Sequence, residues 1–436
     1  MADLLDVYLG ARHVGTLERD VEGRMSFRYV SADPSLGLSL SLPPRLDPYD
    51  DTACRPFFAG LLPEGAALQK AAESKRLQVY ETFKLLRVFG AECAGAVRLL
   101  SEGETPQIKQ SYELLEAPRL AEEIRAINQA PNFARDGRVR LSVAGVQSKT
   151  AVRITPEGIF KPLGGSPSTH ILKVGSEQYP DLPKNEGFCL QLAARLGIAT
   201  AETELRTIDG IPVLLVRRYD RTVVDDIVVE RHQEDFCQAL GYPPSAKYEI
   251  EEGTGTKIGP GFAECAALIR KTRSPAVEMQ TFIRRIIFNY LVGNADAHAK
   301  NLSLLYDGHA GPPNLAPLYD VVCTRLYPSV TEHFATRHGG LSDPALMSQE
   351  AWSQLARDLG VRFSLLQRIA REIGRTIVPA ARALMTAAPF NEFPPYAHIL
   401  TAVGDRTQRL SDDLSLGIHV DTPPFMLRAP GWGTMS

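Results

Sequence analysis

From residue 277 to residue 292, apolar side chains recur at helical spacing: Met279, Phe282, Ile283, Ile286, Ile287, Tyr290 and Leu291. Residues three and four apart share one face of a helix, so this stretch predicts a helix with a broad buried side. Gly293 then reads as the residue that ends it in a left-handed conformation. Upstream, residues 139–143, 150–154, 170–174, 202–208 and 211–216 predict strands. A single helix interrupts them, carrying Phe188, Cys189, Leu192, Ala193 and Leu196 and ending at Gly197. Asp181 reads as its N-cap, with Pro183 in the first turn. Beyond residue 222 the period becomes helical, and residues 233–240, 262–269, 349–359, 363–384 and 396–416 predict helices. Residues 302–306 read as a short strand, Asp307-Gly308 as a turn, and residues 315–319 as a second extended run.

The first hundred residues follow a separate pattern. Residues 5–9, 13–17 and 24–30 predict short strands, and residues 56–100 have helical spacing broken by glycines. Residues 106–140 read as a mostly polar helical connector with a modest stripe of Leu114, Leu120, Ile124 and Ile127. The expected organisation is a small β/α domain over 1–105, a β-rich lobe with its connector over 106–222, and a helical lobe over 223–436.

Composition narrows the class. The 436 residues are 44% hydrophobic and 23% charged, ordinary for a globular chain with a large core. The formal net charge is −3, which argues against a large basic surface for nucleic acid. Arg270, Lys271, Arg273, Arg284 and Arg285 read as a solvated helix face. The six cysteines are scattered without a CxxC pair, which points to a reducing compartment. The N-terminus has no signal-like core and no 18-residue apolar run follows, so a cytoplasmic protein without membrane association is expected.

The candidate chemistry lies just after the 277–292 helix. Gly293-Asn294-Ala295-Asp296-Ala297-His298-Ala299-Lys300-Asn301 is dense in polar side chains. Phosphoryl transfer from ATP needs a carboxylate to orient the attacking hydroxyl and, five residues on, an amide oxygen to hold a metal ion. Asp296 and Asn301 have that spacing, which is that of a protein-kinase catalytic loop. Asp320 follows where a kinase places its second metal ligand. A zinc set of Asp296, His298 and His309 fits no common zinc signature. Other parts of a nucleotide site follow from order in the chain. The loop with Ser142, Val143, Ala144 and Gly145 would offer backbone N–H groups to phosphates. Lys173, a lysine amid apolar strand residues, would reach the phosphates; Glu186, on the next helix, reads either as the residue that orients it or as a solvated side chain. Arg217 and Tyr219 would offer backbone groups to adenine at a hinge. The fold class expected is therefore α+β, a bilobal protein-kinase-like fold with a β-rich N-lobe, a helical C-lobe and a small extra N-terminal domain.

With these pieces in order, the sequence resembles the HipA family of toxin serine/threonine kinases. The segments that carry the resemblance are Ser142 to Thr150, Thr169-His170-Ile171-Leu172-Lys173, Val216-Arg217-Arg218-Tyr219-Asp220-Arg221, His232-Gln233-Glu234-Asp235, Gly293 to Asn301 and Tyr319-Asp320. The resemblance covers nearly the whole chain, including the small N-terminal domain. The catalytic loop is also similar to the Asp-x-x-His element of phosphatidylinositol-type kinases. The resemblance implies ATP and Mg²⁺, Asp296 as catalytic base, and Asn301 and Asp320 as metal ligands. It implies that His298 contacts phosphate or steadies the loop, and that Lys173 and Lys300 lie in the nucleotide site. Ser142 falls where the family autophosphorylates, in a loop ejected once modified. A phosphoserine carries about −1.5 to −2 charges and would repel a triphosphate. The resemblance further implies a DNA-binding HipB-type antitoxin as partner, contact with DNA mainly through it, and an aminoacyl-tRNA synthetase as target, notably the glutamyl enzyme. Arg217 departs from the pattern, since an acidic residue is expected there. A small-molecule kinase, or a co-repressor docking on a DNA-bound antitoxin, are the competing readings.

Overall fold

The structure is a computed structural model that describes residues 3–106, 109–129, 149–175, 179, 181–251, 253–308, 311–327, 330–392 and 395–423. The chain forms two compact units, one of Met1–Pro180, Arg206–Ala246 and Ser303–Ala316, the other of Asp181–Leu205, Lys247–Leu302 and Pro317–Ser436.

In the first unit, β1 (Asp3–Leu9), β2 (Arg12–Arg19), β3 (Met25–Tyr29) and β4 (Val97–Ser101) form an antiparallel sheet in the order β3-β2-β1-β4. Alternate residues Leu5, Val7 and Leu9 face a core shared with α1 (Asp51–Gly60), α2 (Gly65–Ser74) and α3 (Thr82–Phe89). The helical pattern expected up to residue 100 stops short of β4. Val97 and Leu99 alternate with Arg98 and pair with β1, and a period of two over five residues is too short to stand out beside a longer helical run.

A second sheet runs β5-β7-β6-β8-β10-β9. Its strands are β5 (Ser111–Leu114), β6 (Lys149–Thr155), β7 (Gly158–Leu163), β8 (His170–Val174), β9 (Thr203–Ile208, which enters this unit at residue 206) and β10 (Ile211–Arg217). The connector is thus not helical throughout. It opens with an edge strand, and only Ala117–Gln129 forms a helix, α4. Leu120, Ile124 and Ile127 of α4 cover Leu172 and Val174 of β8 with Val213 and Leu215 of β10. Side chains alternate across a strand, so Lys173 lies on the opposite face of the sheet from α4. The expected strand over 139–143 lies outside the described residues.

The hairpin of β11 (Arg221–Val224) and β12 (Ile227–Glu230) precedes a small sheet of β13 (Gln233–Asp235), β14 (Ser303–Leu305) and β15 (Asn314–Leu315). A helix was expected from 233, but α6 starts only at Phe236 and runs to Leu240. Asp235 caps it, accepting from the Gln238 N–H at 2.8 Å while Gln238 returns a bond to the Asp235 N–H at 3.0 Å. That capping box fixes the start and leaves 233–235 free to pair with β14.

The second unit is helical: α5 (Leu182–Arg195), α7 (Phe262–Ile269), α8 (Pro275–Val292), α9 (Gln349–Asp358), α10 (Phe363–Met385) and α11 (Pro395–Leu414). Helix α8 is the expected amphipathic helix, with Phe282, Ile283, Ile287 and Leu291 at 0–1% exposure. Trp352 of α9 is fully buried and meets the Tyr290 ring edge-on at 5.0 Å. Asp181 stands at the N-cap of α5 without capping. Its carboxylate lies 3.7 Å from the Lys184 ammonium instead. The extended run expected over 315–319 pairs only at its start in β15, and Leu318 forms a single bridge with Thr200.

Candidate active site

Helix α8 ends at Gly293 with φ +68°, and the Gly293 and Asn294 N–H groups return to the Tyr290 and Asn289 carbonyls. This left-handed cap turns the chain sharply and delivers the polar loop at the end of a buried helix. The loop is then fixed by its own side chains. Asn294 donates to Asn289 Oδ1 at 3.0 Å and accepts from the Asp296 N–H at 3.1 Å. The Thr324 hydroxyl accepts from the Ala295 N–H at 3.0 Å and donates to the Gly293 carbonyl at 2.8 Å. The Asp296 carbonyl accepts from the His298 N–H at 2.8 Å and from Asn301 Nδ2 at 2.9 Å. Tyr319 donates to the Lys300 carbonyl at 2.7 Å. Backbone groups that a tight loop would leave bare are thereby satisfied from within the unit.

The side chains divide by exposure. The Asp296 carboxylate is about half exposed (53%), whereas His298 and Lys300 are buried. Tyr248 donates its phenol to Asp296 Oδ1 at 2.6 Å, and His298 Nε2 lies 3.9 Å from the same oxygen. The Tyr248 and His298 rings meet edge to face at 5.3 Å. Asp320 takes the left-handed backbone at φ +59°, a conformation that costs a residue with a Cβ and that recurs at functional sites. Asn294, His298, Asn301 and Asp320 line one cavity of this unit, with Arg285 of α8 and His338 behind them. His338 is held neutral, its pKa lowered to about 4 by burial, although a bond to the Thr336 carbonyl works the other way. Arg285 is buried, which corrects its reading as part of a solvated face.

The remaining expected site residues are distributed as follows. Lys173 is 4% exposed, opposite Leu214 of β10 and Lys149 of β6. Arg217 is exposed at the end of β10, and Tyr219 donates to Gln233 Oε1 at 2.6 Å. Glu186 is fully buried on α5. Ser142, Val143, Ala144 and Gly145 lie outside the described residues. Tyr248 and Thr324 were not foreseen, and Asn294 was quoted in the loop without a role. Tyr248 and Thr324 carry no motif or period, and Tyr248 joins the loop from 48 residues away.

A buried charge cluster lies between and just after the expected hinge residues. Arg218 donates to both Asp220 oxygens at 2.9 and 2.7 Å, and Arg221 reaches Oδ2 at 2.8 Å. The Gly95 N–H donates to Asp220 at 2.9 Å, and Arg221 donates to the Gly95 and Cys93 carbonyls, so this motif grips the end of the first hundred residues. Burial alone would raise the Asp220 carboxyl, but Arg218 and Arg221 outweigh it and hold it below the usual carboxylate range.

A family model for the HipA-like C-terminal domain matches residues 141–382, and one for the HipA N-terminal domain matches residues 5–100. The chain belongs to the HipA family. Among HipA relatives, Y4mE of Sinorhizobium fredii is 37% identical over 87% of this chain and 92% of its own. The serine/threonine-protein kinase toxin HipA of Shewanella oneidensis is 31% identical over 89% of this chain and 91% of its own. The solved structure of the Shewanella oneidensis HipA, in a complex with HipB and operator DNA, superposes with a TM-score of 0.83. That match has 28% identity and covers 95% of this chain and 100% of the other. The fold is thus the α+β, kinase-like fold of HipA, and the activity at family level is that of a kinase toxin. Among the described residues no helix is long and apolar enough to cross a membrane.

Proposed function

We propose that this HipA-family chain is an ATP- and Mg²⁺-dependent serine/threonine protein kinase, the toxin of a HipBA-type module. The observation that carries the reading is the loop at the end of α8. Its half-exposed Asp296 carboxylate is anchored through its backbone to Asn301, and Asn301 and Asp320 line one cavity. The donor set suits a hard cation. With Asn301 Nδ2 engaged by the Asp296 carbonyl, its oxygen is the atom left for a metal, and Asp320 adds a carboxylate. Mg²⁺ in phosphoryl-transfer sites is held by one or two such protein oxygens, the substrate's phosphates supplying others.

In this reading Asp296 accepts the proton of the acceptor hydroxyl as its oxygen attacks the γ-phosphorus, and ADP leaves. His298 steadies the loop or meets phosphate, Lys173 and Lys300 bind phosphate, and Arg217 and Tyr219 contact adenine through the backbone. Lys173 supports this assignment by its position on the sheet face opposite α4. Ser142, within the segment from Ser142 to Gly145, is the proposed autophosphorylation site. The division into a domain over 1–105, an N-lobe over 106–222 and a C-lobe over 223–436 belongs to the same proposal, as does a cytoplasmic location.

The proposed partner is a HipB-type antitoxin that carries the chain to operator DNA, which the HipB and DNA complex of the Shewanella oneidensis relative supports. The proposed target is an aminoacyl-tRNA synthetase. Incubating the purified chain with γ-labelled ATP, Mg²⁺ and whole lysate tests the reading. A labelled protein band beside the labelled chain is expected, with the self-label lost in S142A. Label found only on small molecules would favour a small-molecule kinase instead.

A further inference from the structure

We propose that Tyr248 is a positioning residue for phosphoryl transfer: its phenol holds Oδ1 of Asp296 so that Oδ2 alone is presented to the acceptor hydroxyl. The inference rests on the reading of Asp296 as the base and concerns how that base is aimed.

The backbone of Asp296 is already fixed, its N–H by Asn294 and its carbonyl by Asn301 and the His298 N–H. One freedom remains. The terminal torsion of an aspartate is broad, so backbone anchoring does not fix the plane of the carboxylate or the direction in which an oxygen faces a substrate. Both contacts of the carboxylate fall on one oxygen: Tyr248 Oη at 2.6 Å, with His298 Nε2 at 3.9 Å. Oδ2 has no partner among the described residues. A charge-assisted bond of this length occupies one of the two equivalent oxygens and restrains that torsion, so the other oxygen is held in one direction.

Tyr248 can do this because the residues on either side of it are tied to the loop. The Ala299 N–H donates to the Lys247 carbonyl at 3.1 Å. The Glu249 N–H donates to the Ala335 carbonyl at 3.0 Å, and the Ala335 N–H donates to the Ala295 carbonyl at 3.2 Å. Residues 247 and 249 are therefore bracketed to residues 299 and 295, on either side of Asp296. The buried Glu249 carboxylate strengthens the bracket by accepting from the Arg337 N–H at 2.7 Å and its guanidinium at 3.0 and 3.2 Å. The edge-to-face packing on His298 restrains the phenol ring itself. Tyr248 and Asp296 are both exposed, so the contact lies at the rim where an acceptor hydroxyl approaches.

The test is a double-mutant cycle in the full chain with Y248F, D296N and the pair. It measures kcat, KM for ATP, phosphate transfer to the protein band labelled by the wild type, and thermal melting. Y248F should lower kcat by roughly 10- to 100-fold, as misaimed catalytic groups do, with KM for ATP and the melting temperature unchanged. On the D296N background the same change should cost nothing further, because the phenol acts only through that carboxylate. Y248Q, whose amide can still donate, should recover part of the loss. Wild-type or faster turnover in Y248F beside a silent D296N overturns this inference alone, the phenol then being idle or a competitor of the acceptor. An additive loss in the double variant overturns it too. Full activity in D296N overturns the kinase reading and this inference with it.

Discussion

Asn301 Nδ2 donates to the Asp296 carbonyl at 2.9 Å, closing the five-residue interval between the two into a ring. The bond fixes the spacing that the sequence supplies and leaves the amide oxygen for a cation. N301A removes both the ring closure and the oxygen. The expected result is a loss of roughly 10- to 100-fold in apparent Mg²⁺ affinity. Titrating Mg²⁺ against the initial rate of transfer from ATP measures it, and an unchanged half-saturation would contradict the assignment.

Asp320 holds φ +59°, a conformation open to glycine without cost. D320G should therefore melt no lower than the wild type, and up to about 1 kcal/mol of stability is available from relieving such a conformation. Catalysis should nevertheless be lost with the carboxylate. Paired melting curves and rates test this, and a D320G variant that unfolds readily would mean the side chain is structural.

Asp220 stands between Arg218 and Arg221 in a site closed to solvent. D220N keeps the shape but leaves two buried guanidinium groups short of their counter-charge. Breaking such a pair costs about 3–5 kcal/mol. The fall should appear in the urea midpoint of the chain. A loss near zero would mean that Glu92 and Glu230, which also approach these arginines, suffice alone.

Glu234 is buried and accepts from Ser39, Tyr306 and the Leu40 N–H. Burial pushes its carboxyl up to about 7, against the pull of those donors. The folded chain therefore keeps a proton that the unfolded chain releases at ordinary carboxylate pH. Stability tied to this group is fully present below about pH 4.5 and is lost as pH rises through 7. In E234Q that dependence should vanish. The wild-type stability measured relative to E234Q should drop by on the order of a few kcal/mol across this window. Urea unfolding of both proteins at several pH values measures the difference, and a flat line would contradict the buried, protonated state.

Much of the second unit was legible because its signals are long and local. Helix α8 carries its period over five turns, and Gly293 marks its end by a backbone need that no packing overrides. The loop from Gly293 to Asn301 was legible as chemistry because five polar side chains fall within eight residues, with only alanines between them. Short or distant features were not. Strands β4 and β5 are five and four residues long and take their identity from the neighbours they pair with. The residues 233–235 looked helical because the pattern of α6 extends back through them, and only the Asp235 cap fixes where the helix begins. Arg218, Asp220 and Arg221 read as a polar segment, since a buried ion cluster and a solvated one have the same composition. Tyr248 lies in an irregular stretch, and its contact with Asp296 exists only once the chain has folded.

The most direct test of the account is phosphate transfer from γ-labelled ATP by the wild-type chain and by D296N, with ATP affinity measured on both. Removing a general base typically costs 10²–10⁴-fold in rate, so D296N should bind ATP as the wild type does while transfer to protein falls by about that factor. Equal transfer by the two proteins would contradict the assignment of this loop as the catalytic centre.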